Sequence, residues 1–303
     1  MKLTRDNYYT NEADWEYMSC SQYQDFLSCE AAAMAKLTGK YVPDSSEALT
    51  VGNYFHTAFE SPEAHERFCA EHYAEIYKVK VDKKNGEVVT TGKYAAYETA
   101  DRMIEVCRND PLIQKLIEMP GEHELVMDGK LFGIPWKIRL DKYMAATRLI
   151  VDWKTTANIY ETSYNPLTRE RESFVEVYGY MMRAAVYTEI EKQFTGNTTD
   201  ADFVIVAISK QDPPDKAALL LNHRQRYDWE LEQIEKRIGN IQRIKNGELA
   251  PRRCGVCEYC RATKVLKKIM PYYVLSPKFR EEREEEWDSY VASGDMENAQ
   301  TPG

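Results

Sequence analysis

The sequence predicts an α/β fold, a sheet core in a single domain with helices added before and after it. Two observations carry that reading. The hydrophobic pattern changes from a helical period to strand-like alternation near residue 124, and a long helical stretch follows near residue 174. The resulting order is helices, an antiparallel hairpin, a helix, two strands and a helix, which is an α/β core with helical additions. Length and composition agree. A chain of 303 residues, 43% hydrophobic and 29% charged, can bury a full core without disulfides.

Taken in order, the first helix starts at Ser19 or Ser21, with Gln22 placed as a capping-box partner three residues after Ser19. It runs through FLSCEAAAMAKL, rich in helix formers, and stops at Gly39. A second helix begins near Leu49 and carries VGNYFHTAFE to Ser61-Pro62. A third helical stretch covers Tyr94 to Glu118, interrupted near Asp110-Pro111. Glu124 to Met127 reads as a strand, Asp128-Gly129 as the hairpin turn, and Ile134 to Met144 as the returning strand. After a turn at Ala145 to Arg148, Leu149 to Lys154 is a third strand, followed by a strong helix from Phe174 to Phe194. Phe203 to Ser209 and Ala217 to Asn222 are further strands, and Trp229 to Lys245 is a helix. The expected domain spans residues 1–276, with an N-terminal helical part at 17–120, a core at 121–222 and a C-terminal helix with a cysteine cluster at 223–276. Residues 277–303 read as a charged, flexible tail.

Composition narrows the setting more than the partner. The longest apolar runs, such as Phe203 to Ile208, fall far short of the roughly 20 residues of a membrane span. The N-terminus has no apolar stretch of the signal-peptide kind, so a cytoplasmic protein with no membrane partner is expected. The net charge of −9 argues against a broadly basic nucleic-acid coat but leaves room for a local basic groove. Part of the acidity sits in the tail, where Glu281, Glu282, Glu284, Glu285, Glu286 and Asp288 crowd together.

The most informative segment is GIPWKIRLDKYMAATRLIVDWKTT. Asp152 and Lys154 lie two apart on one strand and therefore face the same way. Asp141 precedes them by eleven residues across a short turn, so a hairpin can bring both carboxylates to one place. Two carboxylates at a sheet edge suit Mg²⁺ or Mn²⁺, which take oxygen ligands and keep water. Such a metal lowers the pKa of a bound water, and a neighbouring ammonium stabilises charge that builds on phosphorus. A D-x-K triplet is commonly a solvated strand face with a weak ion pair. Here it is embedded in LIVDWKTT, an apolar run in which charges are costly unless they serve a site.

Asp141, then Asp152-x-Lys154, preceded by Gly52-x-x-x-His56, resembles the PD-(D/E)XK nuclease superfamily, and more narrowly its RecE-like and RecB-like branch of phage exodeoxyribonuclease VIII proteins. SCSQYQDFLSCEAAAMAKL, VGNYFHTAFE, YGYMMRAAVY and RRCGVCEYCRATK are similar to stretches of that family, and the likeness covers roughly residues 17 to 265. The resemblance implies a restriction-endonuclease-like core, a mixed central sheet flanked by helices, with helical N- and C-terminal additions. It implies that Asp141 and Asp152 ligate the metal, that His56 adds a ligand or positions it, and that Lys154 orients or activates the attacking water. It places Glu124 at the family's first acidic position, a residue that by itself reads equally well as an exposed strand-end glutamate. The helix after the D-x-K strand usually carries Gln-x-x-x-Tyr; here Arg183 stands in the glutamine's place and Tyr187 is retained, both assigned to DNA.

Seven cysteines are unevenly placed, with Cys254, Cys257 and Cys260 inside one seven-residue window and flanked by arginines. Thiolates so spaced in a reducing compartment suit Zn²⁺ or an iron–sulfur cluster, either of which wants a fourth ligand. The resemblance to RecB-like nucleases implies that Cys29 supplies it and that the group is a [4Fe–4S] cluster, with Cys20 as the competing ligand and Zn²⁺ as the alternative metal. The expected function is a Mg²⁺-dependent exonuclease acting 5′ to 3′ on double-stranded DNA ends in phage-type recombination. The resemblance adds a RecT-like single-strand annealing partner and a ring-like homo-oligomer. The rivals are a RecB-like nuclease acting on single strands and a DNA-binding assembly protein that keeps the fold without turnover.

Overall fold

The computed structural model describes residues 1–43, 46–81, 88–165 and 169–266, and the chain divides into two compact units. The first comprises residues 1–17 and 44–234, the second residues 18–43 and 235–303. The tail expected at 277–303 lies outside the described residues.

In chain order the elements open with α1 (Asn11–Glu16), α2 (Cys20–Ser28) and α3 (Glu30–Leu37). Then come α4 (Glu47–Glu60), α5 (Pro62–Glu71), α6 (Tyr73–Ile76), and a small hairpin of β1 (Tyr77–Val81) and β2 (Val88–Lys93). Next are α7 (Ala95–Arg108), α8 (Pro111–Glu118), β3 (Glu122–Leu131), β4 (Ile134–Met144) and β5 (Leu149–Thr156). A second ribbon, β6 (Thr162–Asn165) and β7 (Glu170–Ser173), leads into α9 (Phe174–Val177) and α10 (Tyr180–Thr195). The chain continues through β8 (Asp202–Ser209), β9 (Lys216–Leu221), α11 (Arg224–Lys245) and α12 (Glu258–Ala262).

The first unit is built on a five-stranded sheet in the order β3-β4-β5-β8-β9. Only β5 and β8 run parallel, joined by the crossover through α9 and α10, and the other pairs are antiparallel. The sheet is therefore mixed, as expected. Alternation sends Met144, Val151, Trp153, Val206 and Ile208 into a core shared with α4, α7 and α8. Phe59 of α4 stacks on Trp153 with ring centroids 4.5 Å apart. The opposite face meets α10, where the Tyr143 hydroxyl donates to the buried Glu191 carboxylate at 2.6 Å and Arg148 closes on the same group. Asp152 and Lys154, one residue out of phase with Trp153, belong to this second face.

Local chemistry explains several helix starts. Ser19, Ser46 and Ser61 accept from the N–H groups of Gln22, Leu49 and Ala64, and Asp110 caps α8 ahead of Pro111. The structure differs from expectation at four places. The hairpin turn lies at Phe132-Gly133, both with positive φ, and not at Asp128-Gly129. Gly129 sits mid-strand because α10 passes over it: a Cβ there would meet Gln193 Oε1 at 2.7 Å, and Gln193 exchanges hydrogen bonds with the Lys130 backbone. The helix expected through FLSCEAAAMAKL is broken at Cys29, whose extended φ of −165° separates α2 from α3. The Phe174 to Phe194 helix is divided at Gly179, which adopts φ 67°. Both two-stranded ribbons, with α1, α5, α6 and α12, are additions to the expected order; Ser61-Pro62 starts α5 as well as ending α4. Among the described residues no helix is long and apolar enough to cross a membrane.

Candidate active site

The geometry of the first unit's site follows from where the β4–β5 ladder stops. Its last pair is Lys142 with Val151. One step further the register would set Asp141 opposite Asp152, but there the strands part. Asp141 fills the gap with its side chain, Oδ2 accepting the Trp153 main-chain N–H at 2.9 Å. Two carboxylates are thus held at the open end of a strand pair, one by the backbone and one by the sheet.

Lys154 joins them. Its ammonium lies 2.6 Å from Asp152 Oδ2 and 3.8 Å from Asp141 Oδ2, close ion pairs at a site only 13–14% exposed for Lys154 and Asp141 and nearly closed for Asp152. His56, on the third turn of α4, brings Nδ1 to 3.2 Å from Asp141 Oδ2. Burial by itself would raise the Asp141 carboxyl, but Lys154 and His56 outweigh it and hold the group well below the usual carboxylate range. Tyr180, the first residue of α10, covers the lysine with its ring centroid 5.7 Å from Nζ.

Glu124 stands across the sheet from Asp141, at the one position where the β3–β4 register skips a pair. Its φ of 56° is uncommon for a side chain of this size and marks a local break in the strand. The carboxylate is buried and lies 2.6 Å from an Arg139 guanidinium nitrogen. Burial pushes its pKa up to about 7, against the pull of Arg139 and with Asp141 and Glu60 adding to the rise. Arg183, on α10, donates to the Tyr187 hydroxyl at 3.4 Å. Tyr187 is only 4% exposed and packs edge-on to Phe203. Its hydroxyl supports Arg183 from within the protein.

The first unit therefore brings Asp141, Asp152, Lys154 and His56 to one point and sets Glu124 beside them. Mg²⁺ takes one or two carboxylates and keeps its waters, and Asp141 and Asp152 are such a pair, with His56 reaching the site through Asp141. Sequence reasoning missed Arg139 and Tyr9, which adjoin Glu124. The Arg139 guanidinium lies 4.5 Å from the Tyr9 ring centroid, a contact across 130 residues that no local pattern announces.

In the second unit Cys29, Cys254, Cys257 and Cys260 come together, with every pair of sulfurs within 4.8 Å. Among the described residues this is the one group of three or more ligand side chains drawn together tightly enough to enclose an ion. Gly255, at φ 77°, turns the chain so that the Cys257 N–H donates to Cys254 Sγ at 3.3 Å. The Cys254 N–H donates to Cys29 Sγ and the Cys260 N–H to Cys257 Sγ, each at 3.5 Å. Desolvation raises the Cys254 thiol, yet the N–H groups of Cys257 and Val256 prevail and bring it down to about 7. Cys29 and Cys260 sulfurs are 3.6 Å apart, and Cys254 and Cys260 sulfurs 3.9 Å. Four sulfurs about 2.3 Å from one ion form a tetrahedron with edges of about 3.8 Å. The donor set therefore fits one tetrahedral ion. Cys20 is buried elsewhere in α2 and is not part of the group.

The family described as a PDDEXK-like domain of unknown function (DUF3799) matches residues 19–263. Among solved structures, a crystal structure of a "Putative exonuclease" from Eubacterium rectale is similar over 91% of this chain and 99% of its own, with 32% identity and a TM-score of 0.79. A structure of SSO0001 aligns over 82% of this chain and 98% of its own at 12% identity, but its TM-score of 0.27 carries no argument. No curated protein matches the sequence.

Proposed function

The chain belongs to the PDDEXK-like domain family, and from that premise we propose that it is a metal-dependent DNA exonuclease acting on double-stranded ends. The observation that carries the reading is the pair Asp141 and Asp152 at the parted end of β4 and β5, with Lys154 between them at 3.8 and 2.6 Å. The likeness to the Eubacterium rectale protein supports the same activity class.

Asp141 and Asp152 would hold a divalent ion, which when bound neutralises phosphate charge and lowers the pKa of a water. Asp141 is kept ionised for that task by Lys154 and His56. His56 fixes the Asp141 rotamer through Nδ1. Lys154 orients the attacking water and balances charge on the phosphoryl oxygens. The water oxygen forms a bond to phosphorus as the bond to the departing sugar oxygen breaks, and the water's proton ends on that oxygen. Arg183, steadied by Tyr187, is placed to meet a neighbouring phosphate. Polarity of 5′ to 3′, a RecT-like annealing partner in phage-type recombination, a ring-like homo-oligomer and a cytoplasmic setting complete the proposal.

We assign the cysteine group to one structural zinc ion. The 3.6 and 3.9 Å between Cys260 and its neighbours support a single tetrahedral ion over a larger cluster. Anaerobically purified protein should then be colourless, with one equivalent of zinc. A brown solution with visible absorption and bound iron overturns this assignment.

The nuclease itself is tested on end-labelled linear duplex, with Mg²⁺, with EDTA, and with an Asp152→Ala control. Mg²⁺-dependent release from the 5′-labelled end, absent with EDTA and in the variant, is expected. Duplex binding with no release in any condition overturns the exonuclease and leaves a DNA-binding assembly protein.

A further inference from the structure

One face of β4 carries Lys137, Arg139 and Asp141 in succession, every second residue. The last belongs to the site; the first two hold the N-terminal segment. Lys137, 1% exposed, donates to the Tyr8 carbonyl at 2.5 Å and to the Asp14 carboxylate at 2.6 Å. A buried ammonium with two such acceptors is a fixed anchor, because leaving either unpaired would be costly. Tyr8 is buried beneath its neighbour, and its ring meets the Tyr9 ring edge-on at 5.0 Å.

Tyr9 itself is 67% exposed. Arg139 packs on its ring, with the guanidinium carbon 4.5 Å from the centroid. That guanidinium is also tied to Glu124. Glu124 in turn stands across the sheet from Asp141, so the braced ring lies on the side of the sheet that carries the site. A large exposed aromatic is ordinarily free to sample rotamers. This one is braced by a cation and a second ring, on a segment bolted to the strand that carries Asp141. Two residues of strand rise, about 6.8 Å, separate Arg139 from Asp141, close to one nucleotide step of an extended strand.

We propose that Tyr9, backed by Arg139, is a stacking platform for an unpaired nucleobase next to the phosphate that undergoes cleavage at the Asp141–Asp152 site. The site would thus take its strand peeled away from the duplex. This deepens the nuclease reading and rests on it. An exposed ring backed by a cation fits stacking, which tolerates any base. Tyr9 is a positioning residue; it takes no part in bond breaking.

The test uses full-length Asp152→Asn protein, which binds without cutting, and oligonucleotides carrying 2-aminopurine at one position at a time near a frayed end. Quenching should peak at one position. Tyr9→Leu should abolish that peak and weaken binding roughly 5- to 160-fold, the range for loss of one base–aromatic stack, while Tyr9→Phe preserves both. An abasic nucleotide at the peak position should erase the difference between the proteins with and without Tyr9→Leu, which a purely structural role would not do. Position-specific quenching that survives Tyr9→Leu, or a Tyr9→Leu defect unchanged by the abasic nucleotide, overturns the proposal. The two readings separate when cleavage by the parent is assayed in parallel. Tyr9-dependent quenching without cleavage keeps the platform and sinks the nuclease, and cleavage with Tyr9-independent quenching does the reverse.

Discussion

The carboxylate site and the cysteine group collect metal-binding side chains in opposite ways. Asp141 and Asp152 sit where two strands part, and each already has a partner: Lys154 for both, with the Trp153 N–H and His56 for Asp141. The four cysteines meet main-chain N–H donors and one another. A sheet can place charges in advance because its hydrogen bonds fix register whether or not an ion is present. A loop of Cys-x-x-Cys steps cannot, and four thiolates repel until a cation joins them. The first site should therefore be a formed place that a metal visits, and the second a fold element that a metal completes.

The largest effect should come from the carboxylates. Asp152→Asn is expected to lower the rate on duplex ends on the order of 10³-fold, because ion and water both lose their anchor. The protein should still fold, since Lys154 keeps Asp141 as a partner. Single-turnover rates beside a thermal melt decide it, and a variant that cuts within tenfold of the parent would remove Asp152 from the site.

Second comes the cysteine group. Structural zinc in small domains contributes about 10 to 16 kcal/mol of apparent binding free energy at neutral pH, which bounds what chelation can remove. Stripping the metal, or Cys29→Ser, should raise hydrogen exchange strongly over residues 19–37. EDTA alone should change exchange over residues 122–156 much less. Equal responses in the two windows would break the contrast drawn above.

Sequence alone exposed these two regions unequally, for physical reasons. Asp152 and Lys154 were legible because charges inside LIVDWKTT have no place in an ordinary buried strand. The three C-terminal cysteines were legible from spacing. The break at Cys29 was not, because FLSCEAAAMAKL holds no glycine or proline and only tertiary contacts such as Ala31 N–H to the Arg252 carbonyl at 2.9 Å impose it. Gly129 misled for the converse reason, its smallness serving a crossing helix and not a turn. The left-handed backbone of Glu124 and the pairing of Tyr9 with Arg139 depend on segments far apart in the chain. Long-range packing leaves no period to read.

Glu124 gives a third, smaller test of how fully the carboxylate site is formed without metal. Its folded pKa of about 7 lies above the ordinary value of 4.5, so the folded state holds this proton more tightly than the unfolded chain. The stabilisation is fully present below about pH 4.5 and is lost as pH rises through 7. In EDTA, Glu124→Gln should therefore gain on the parent by about 2 to 3 kcal/mol between those limits, at 1.36 kcal/mol per unit. Urea midpoints at a series of pH values measure it. Parallel profiles for the two proteins would mean that Arg139 neutralises Glu124 completely.

The smallest effect concerns Gly52, one turn before His56 on α4. A glycine inside a 14-residue helix is a weak point, costing roughly 0.5 to 1 kcal/mol relative to alanine. Its backbone is not in the left-handed region, and a Cβ there would meet nothing within 4 Å. Neither conformation nor internal packing therefore calls for glycine, and Gly52→Ala should raise the unfolding free energy by up to about 1 kcal/mol. What remains is the open space itself, beside the helix face that carries His56. If a substrate backbone approaches there, the same substitution should raise KM with kcat little changed. A stabilised variant with unaltered KM would show instead that the space is unused and that His56 alone, through Asp141, is what α4 contributes to the site.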